Sequence, residues 1–134
     1  VGLPRINRLK HWRDFKLVYQ NGLNWRSPHF TLWGLSQVNQ NNQLQQQDSE
    51  EMRNFSPPPT QLGISISQKV SKKAVVRNRI KRQIQARFQE LLPEIAPGWK
   101  LVLNVRPTIT QCESEHFLRE LKQLLIKAEV IHGH

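Results

Sequence analysis

The residues with the most chemistry in this chain lie between Lys69 and Arg87, K-V-S-K-K-A-V-V-R-N-R-I-K-R-Q-I-Q-A-R. Eight of the chain's twenty Lys and Arg residues fall there, and no Asp or Glu occurs from Asn54 to Gln89. Like charges crowded into one segment repel, so an unbalanced run of this kind calls for a polyanion. A solvated helix face ordinarily mixes signs, and this one does not. Arg offers a planar fork of donors that fits phosphate, and Lys a compact charge. Asn78 adds a neutral donor and acceptor for a base edge or a ribose hydroxyl. The chemistry implied is phosphate recognition, with nucleic acid as the partner.

The element that must carry these groups reads as a helix from Ala74 to Leu92. Val76, Ile80, Ile84 and Phe88 recur every four residues, and Leu91 and Leu92 extend the stripe. At 100° per residue, Asn78, Arg79 and Arg82 fall on the other side. Arg77 and Lys81 flank the stripe, where their stems can cover apolar surface while their heads reach solvent. The expectation is a core-anchored helix with a cationic outer face.

The rest of the composition agrees. The chain has 134 residues, which is one domain, 1–134. Hydrophobic residues make up 37% and the formal net charge is +10, with a pI of about 10.5 and a mean hydropathy of −0.60. A basic protein of this kind meets nucleic acid or an anionic membrane surface. No apolar run approaches the roughly 20 residues that span a bilayer. The basic start, V-G-L-P-R-I-N-R-L-K, has no apolar region of the secretory type. Cys112 is the single cysteine, which excludes an intrachain disulfide and a thiolate metal cluster. It reads as a bystander, and a reducing cytoplasm is consistent with it. His132 and His134 end the chain as H-G-H, two imidazoles that do not make a metal site.

Taken in order, a basic lead-in from Gly2 to Lys10 precedes a short helix, Trp12 to Gln20, ended by Asn21-Gly22. Its apolar residues are Trp12, Phe15, Val18 and Tyr19. Val18 reads as core. Phe15 and Tyr19 share a face beside Arg8 and Lys16 and admit two roles, core packing or stacking on RNA bases. A strand from His29 to Ser36 places Trp33 opposite Phe30 and Leu32. A second, Gln61 to Ser67, sets Leu62, Ile64 and Ile66 against Gly63, Ser65 and Ser67. The two read as an antiparallel pair joined by a low-complexity loop, 37–60, rich in Gln and closed by Pro57-Pro58-Pro59; the loop should be mobile and expendable. After the basic helix comes a strand from Trp99 to Val105, then a helix from Glu113 to Val130. That last helix has Phe117, Leu121, Leu124, Leu125 and Ala128 as its buried stripe and Ser114 as a cap. The order is α-β-β-α-β-α. The expected fold is α+β, with one mixed sheet packed on helices and a crossover unit through the basic helix. Gly63, Ser65, Ser67, Asn104 and Trp33 would line a shallow trough beside the first helix.

The segment S-I-S-Q-K-V-S-K-K-A-V-V-R-N-R-I-K-R resembles the signature of the protein subunit of bacterial ribonuclease P. That family carries Arg-Asn-Arg followed by Lys-Arg, here Arg77, Asn78, Arg79, Lys81 and Arg82. N-R-L-K at Asn7 to Lys10, D-F at Asp14, V-Y at Val18, F-T-L-W at Phe30, L-G-I-S-I-S at Leu62 and a strand ending in V-R-P follow the family's order. The long Gln-rich loop and Gln68, where the family commonly has Lys, depart from it. The resemblance implies a small α/β sandwich with a left-handed crossover, against the general right-handed rule. It implies a subunit of an endoribonuclease that removes the 5′ leader from precursor tRNA in the cytoplasm, with the chemistry carried by a catalytic RNA. Magnesium would be held by that RNA and none by the protein, no residue of this chain would be catalytic, and no membrane or obligate protein partner is implied. Carried over position by position, Lys69, Lys72, Lys73, Arg77, Asn78, Arg79, Lys81 and Arg82 face the catalytic RNA. Arg8, Phe15, Tyr19 and Trp33 face the leader.

Three rival readings are weaker. A protein nuclease needs paired acid–base groups or a carboxylate cluster, whereas Asp14 stands alone and Asp48, Glu50 and Glu51 lie in the loop. A structural RNA-binding protein of the ribosomal type fits fold and charge equally, and only the length of the motif argues against it. A helix-turn-helix DNA reader would need a helix closely preceding the basic one.

Overall fold

The computed structural model describes residues 3–36, 58–111 and 114–131. They form helices α1 (Trp12–Asn21), α2 (Ala74–Leu91) and α3 (Ser114–Lys127) and strands β1 (Leu23–Arg26), β2 (Phe30–Ser36), β3 (Gln61–Ile66) and β4 (Trp99–Val105). The sheet is ordered β1-β2-β4-β3. The β1–β2 and β2–β4 pairs are antiparallel, and β3 pairs parallel to β4. The expected mixed sheet is present, and α2 is the crossover between its parallel strands. None of the described helices is long and apolar enough to cross a membrane.

Two expectations are corrected. β1 is an additional strand, so the order is α-β-β-β-α-β-α. β2 and β3 are not a pair, because β4 lies between them and bonds to both. A central strand is buried on both faces, and Leu101, Val102 and Leu103 are each fully buried.

The core lies between one face of the sheet and α2 with α3. Phe30, Leu32, Leu62, Leu101 and Leu103 meet Ile80, Ile84, Phe88 and Leu91 from α2, and Phe117, Leu121, Leu124 and Leu125 from α3. The four-residue spacing on α2 and the stripe on α3 are therefore the buried faces expected. Phe30 and Phe117 meet edge to face with centroids 5.9 Å apart. The other face of β2 and β4 carries α1 through a smaller cluster of Leu9, Val18, Leu35 and Val102, with Phe15, Leu17 and Trp33 packed around it. Gly22 lets α1 end against the sheet: a Cβ there would stand 2.6 Å from the Val18 carbonyl oxygen and 2.7 Å from that of Gly34.

The loop expected from 37 to 60 ends in ordered structure. Thr60 is buried, donates to the Ala96 carbonyl at 2.6 Å and accepts from the Trp99 amide at 3.2 Å. The stretch 37–57, Cys112, His132 and His134 lie outside the described residues, as does the side chain of Ser114.

Candidate nucleic-acid interface

The basic connection is built from side-chain turns. Ser67 Oγ accepts from the Lys69 amide at 3.2 Å, and Ser71 Oγ from the Lys73 amide at 3.2 Å. Between them Val70 is buried in the main core and pins the connection to the domain. Lys69, Lys72 and Lys73 are left exposed around that anchor. α2 then starts with no side-chain cap and no acid in its first turn. A helix N-terminus carries partial positive charge and outward N–H groups, so lysines placed there add to a field that an anion relieves.

On α2, Asn78, Arg79, Lys81 and Arg82 are exposed, and none of them makes a side-chain hydrogen bond or ion pair among the described residues. The nearest ion pair on this helix, Arg87 with Glu90 at 3.1 Å, lies at its other end. Arg77 differs from its neighbours. It is half-buried, and its Nη1 donates to the Ser71 carbonyl at 2.8 Å, folding the connection back onto the helix. A guanidinium has five donors, so several remain for phosphate.

The trough set separates into three situations. Phe15 rests on Gly63, where a Cβ would come 2.4 Å from Phe15 Cζ. Its ring and Gly63 form the wall and floor of a cleft of about 300 Å³, whose rim holds Arg8, Lys10, Lys81 and Gln85. Lys81 from α2 and Arg8 from the lead-in thus converge on one opening. Arg8 is held there by Nε donating to the Leu3 carbonyl at 2.6 Å, and the lead-in pairs along β3 through Leu9 N–H to Leu62 O at 3.0 Å. Tyr19 is 36% exposed, and its hydroxyl donates to Asn104 Oδ1 at 2.8 Å. Partial burial raises the Tyr19 pKa, and hydrogen bonds with Asn104 and Ser65 offset part of that rise. Trp33 lies against Tyr19, edge to face, with centroids 5.2 Å apart. Its indole nitrogen is buried without a hydrogen-bond partner among the described residues, and the half-buried ring packs between α1 and the sheet.

Sequence reasoning missed Trp12. One of the apolar residues of α1, it is 69% exposed with the Arg13 guanidinium 5.9 Å from its ring. Its position at the first turn of α1, ahead of the Phe15–Val18 face, is the signal that could have set it apart. The described acids are dispersed. Asp14 pairs with Lys100 at 2.9 Å, Glu94 with Lys122 at 3.8 Å, and Glu120 with His29 at 2.7 Å.

Comparisons with known proteins bear on this geometry. The family model described as Ribonuclease P matches residues 3–129. The ribonuclease P protein component of Microcystis aeruginosa is 52% identical, covering all of both chains. That of a Nostoc species is 50% identical, covering all of this chain and 99% of its own. Among solved structures, the Staphylococcus aureus RNase P protein superposes with a TM-score of 0.73 at 22% identity, over 94% of this chain and 98% of its own. The Thermotoga maritima RNase P protein does so with 0.69 at 22% identity, over 94% and 98%. These structures share the fold. With the family model matched almost end to end and relatives half-identical along their whole length, this chain belongs to the ribonuclease P protein component family.

Proposed function

We propose that the chain is the RNA-binding subunit of ribonuclease P and acts in tRNA processing, in the cytoplasm, beside a catalytic RNA. The observation that carries this reading is the run of cations from Lys69 to Arg82, all but the half-buried Arg77 exposed on the connection and outer side of α2, with no carboxylate paired to it among the described residues. In this assignment Lys69, Lys72, Lys73, Asn78, Arg79, Lys81 and Arg82 meet phosphates and riboses of the catalytic RNA, and Arg77 both meets RNA and ties down the connection. Phosphate contacts give affinity with little sequence preference. The precursor's 5′ leader passes through the cleft at Phe15, Arg8 and Lys81 and over Tyr19, with Trp33 as the support beneath. Stacking on aromatic rings tolerates any base, which suits leaders of varied sequence.

Hydrolysis of the phosphodiester belongs, in this reading, to the RNA and the magnesium ions it holds. The described acids are spread over α1, the far end of α2, α3 and the turns that follow α2 and α3, with Asp14, Glu90 and Glu94 paired to Lys or Arg and Glu120 held by His29. The protein's part is to neutralise crowded phosphate, so that fewer magnesium ions are needed to do so. The test is cleavage of a precursor tRNA by a bacterial ribonuclease P RNA at a magnesium concentration where the RNA alone is idle. Added protein should restore leader removal. No rescue, or cleavage by the protein without RNA, would overturn the assignment.

A further inference from the structure

We propose a second contact for single-stranded RNA in the groove between β1 and α3, away from both α2 and the leader trough. This rests on the reading that the chain works on RNA. Along α3, His116, Arg119, Gln123 and Lys127 are spaced three, four and four apart and form one polar row. The row faces the β1–β2 turn across a cleft of about 290 Å³ that also contains Arg26 and His29. Arg26, Arg119 and Lys127 are exposed and in no ion pair among the described residues. The carboxylate within the cleft is already engaged: Glu120 accepts from His29 Nδ1 at 2.7 Å, from the His29 amide at 2.9 Å and from Ser27 Oγ.

At Lys127 this cleft joins a larger groove of about 660 Å³, lined by Leu23, Trp25, Gly34, Pro97 and Trp99, with the exposed Glu129 as its one acid. Both indoles are half-buried and flank Gly34. A Cβ at that position would come 3.2 Å from Trp25 Cζ3 and 3.3 Å from Trp99 Cζ3. The missing side chain lets both rings pack close against the sheet at that point, side by side along the groove. Leu23 at the lip is 69% exposed. Aromatic rings on one stretch and unpaired cations along the next are what a flexible polynucleotide requires, bases on the rings and phosphates on the row. Arg26, Arg119 and Lys127 outnumber the single exposed acid, Glu129, and this excess of positive charge commits the groove to RNA. Its lining shares no residue with the cleft at Phe15 and Lys81.

The indole N–H signals of Trp12, Trp25, Trp33 and Trp99 in the full chain report the outcome, with an eight-residue oligoadenylate as the probe. Trp25 and Trp99 should shift together on titration. In Arg26→Ala/Arg119→Ala/Lys127→Ala those shifts should weaken, and the salt slope of the remaining affinity should fall by about 2, at roughly 0.7 per phosphate contact on a single strand. Unmoved Trp25 and Trp99 signals overturn the proposal, and so do shifts that appear on concentrating the protein without RNA, which would assign the groove to a second copy. If those signals stay still while structured ribonuclease P RNA still binds in an Arg79-dependent way, only this proposal fails. If neither RNA binds, the functional reading fails with it.

Discussion

Arg77 and Arg79 are two residues apart in the same motif, yet the structure separates what their loss should do. Arg79 is exposed and makes no hydrogen bond or ion pair among the described residues, so Arg79→Ala should leave the unfolding midpoint where it is. Arg77 donates to the Ser71 carbonyl at 2.8 Å and is half-buried. Losing that bond should cost about 0.5–1 kcal/mol, the net worth of an intramolecular hydrogen bond discounted for exposure. In the proposed assignment both should weaken binding to the catalytic RNA. One phosphate contact contributes roughly 0.9 to the slope of log K against log salt on a duplex. Between 50 and 200 mM salt, one contact then accounts for about a 3.5-fold loss of affinity, and removing the contact removes that sensitivity. The assay is RNA binding across a salt series beside urea unfolding of each variant. Arg79→Ala should flatten the slope by about 1 with unchanged stability, and Arg77→Ala should lower both. Equal stability for the two variants would refute the role given to the Ser71 contact. An unchanged slope in Arg79→Ala would refute the phosphate assignment itself.

Other expectations follow from single contacts. Gly63→Ala places a methyl where the Phe15 ring rests, 2.4 Å from Cζ, so the ring must move into or out of the cleft. Precursor tRNA affinity should fall while mature tRNA affinity stays, and equal loss for both would return Phe15 to a purely packing role. Burial alone would raise the Glu120 pKa, but the hydrogen bonds from His29 and Ser27 outweigh it and hold the carboxyl below the usual range. A depressed carboxylate stabilises the fold above its unfolded pKa of about 4.3. That stability is lost as pH falls through the folded value. Glu120→Gln should therefore show a shallower loss of stability between about pH 5 and 3, measured by urea unfolding, and an unchanged acid slope would mean the clamp on the β1–β2 turn is not energetically coupled.

Much of this fold was legible because periodicity and burial agree on the long elements. Ile80, Ile84 and Phe88 recur at helical spacing, and all three are buried on the side that the spacing indicates. β1 was not legible. L-N-W-R is four residues with only Trp25 half-buried, and it becomes a strand because the edge of β2 lies within reach of a short turn. The sequence predicts a β2–β3 pair because adjacent strands joined by a loop default to a hairpin, whereas β4 lies between them. The signal against it was in β4, where Leu101, Val102 and Leu103 run consecutively apolar, the pattern of a strand covered on both faces. At the site, the cations were readable from charge alone. The difference between Arg77 and Arg79 was not, since it depends on where the Ser71 carbonyl points. Nor does anything in the spacing show that Tyr19 lies edge to face against Trp33.

The arrangement of β3 explains how the two surfaces proposed to meet RNA can be held in a constant relation. Leu62 is buried, and Ile64 and Ile66 pack against the same core that takes Ile80, Ile84 and Phe88 of α2, so the strand and the helix are locked in phase through one set of contacts. The alternate residues of the same strand, Gly63 and Ser65, face the trough. A strand's two faces cannot shift independently, because a one-residue slip exchanges them. The position of Phe15 on Gly63 and the position of Lys81 on α2 are therefore set by the same register, and both come to the rim of one cleft. In the proposed assignment, catalytic RNA bound along α2 and leader bound at Phe15 meet there with a spacing that the sheet fixes and no hinge relaxes. Lys81 is then the cation shared between the two, and its replacement should reduce the affinity for precursor more in the assembled enzyme than in the free protein.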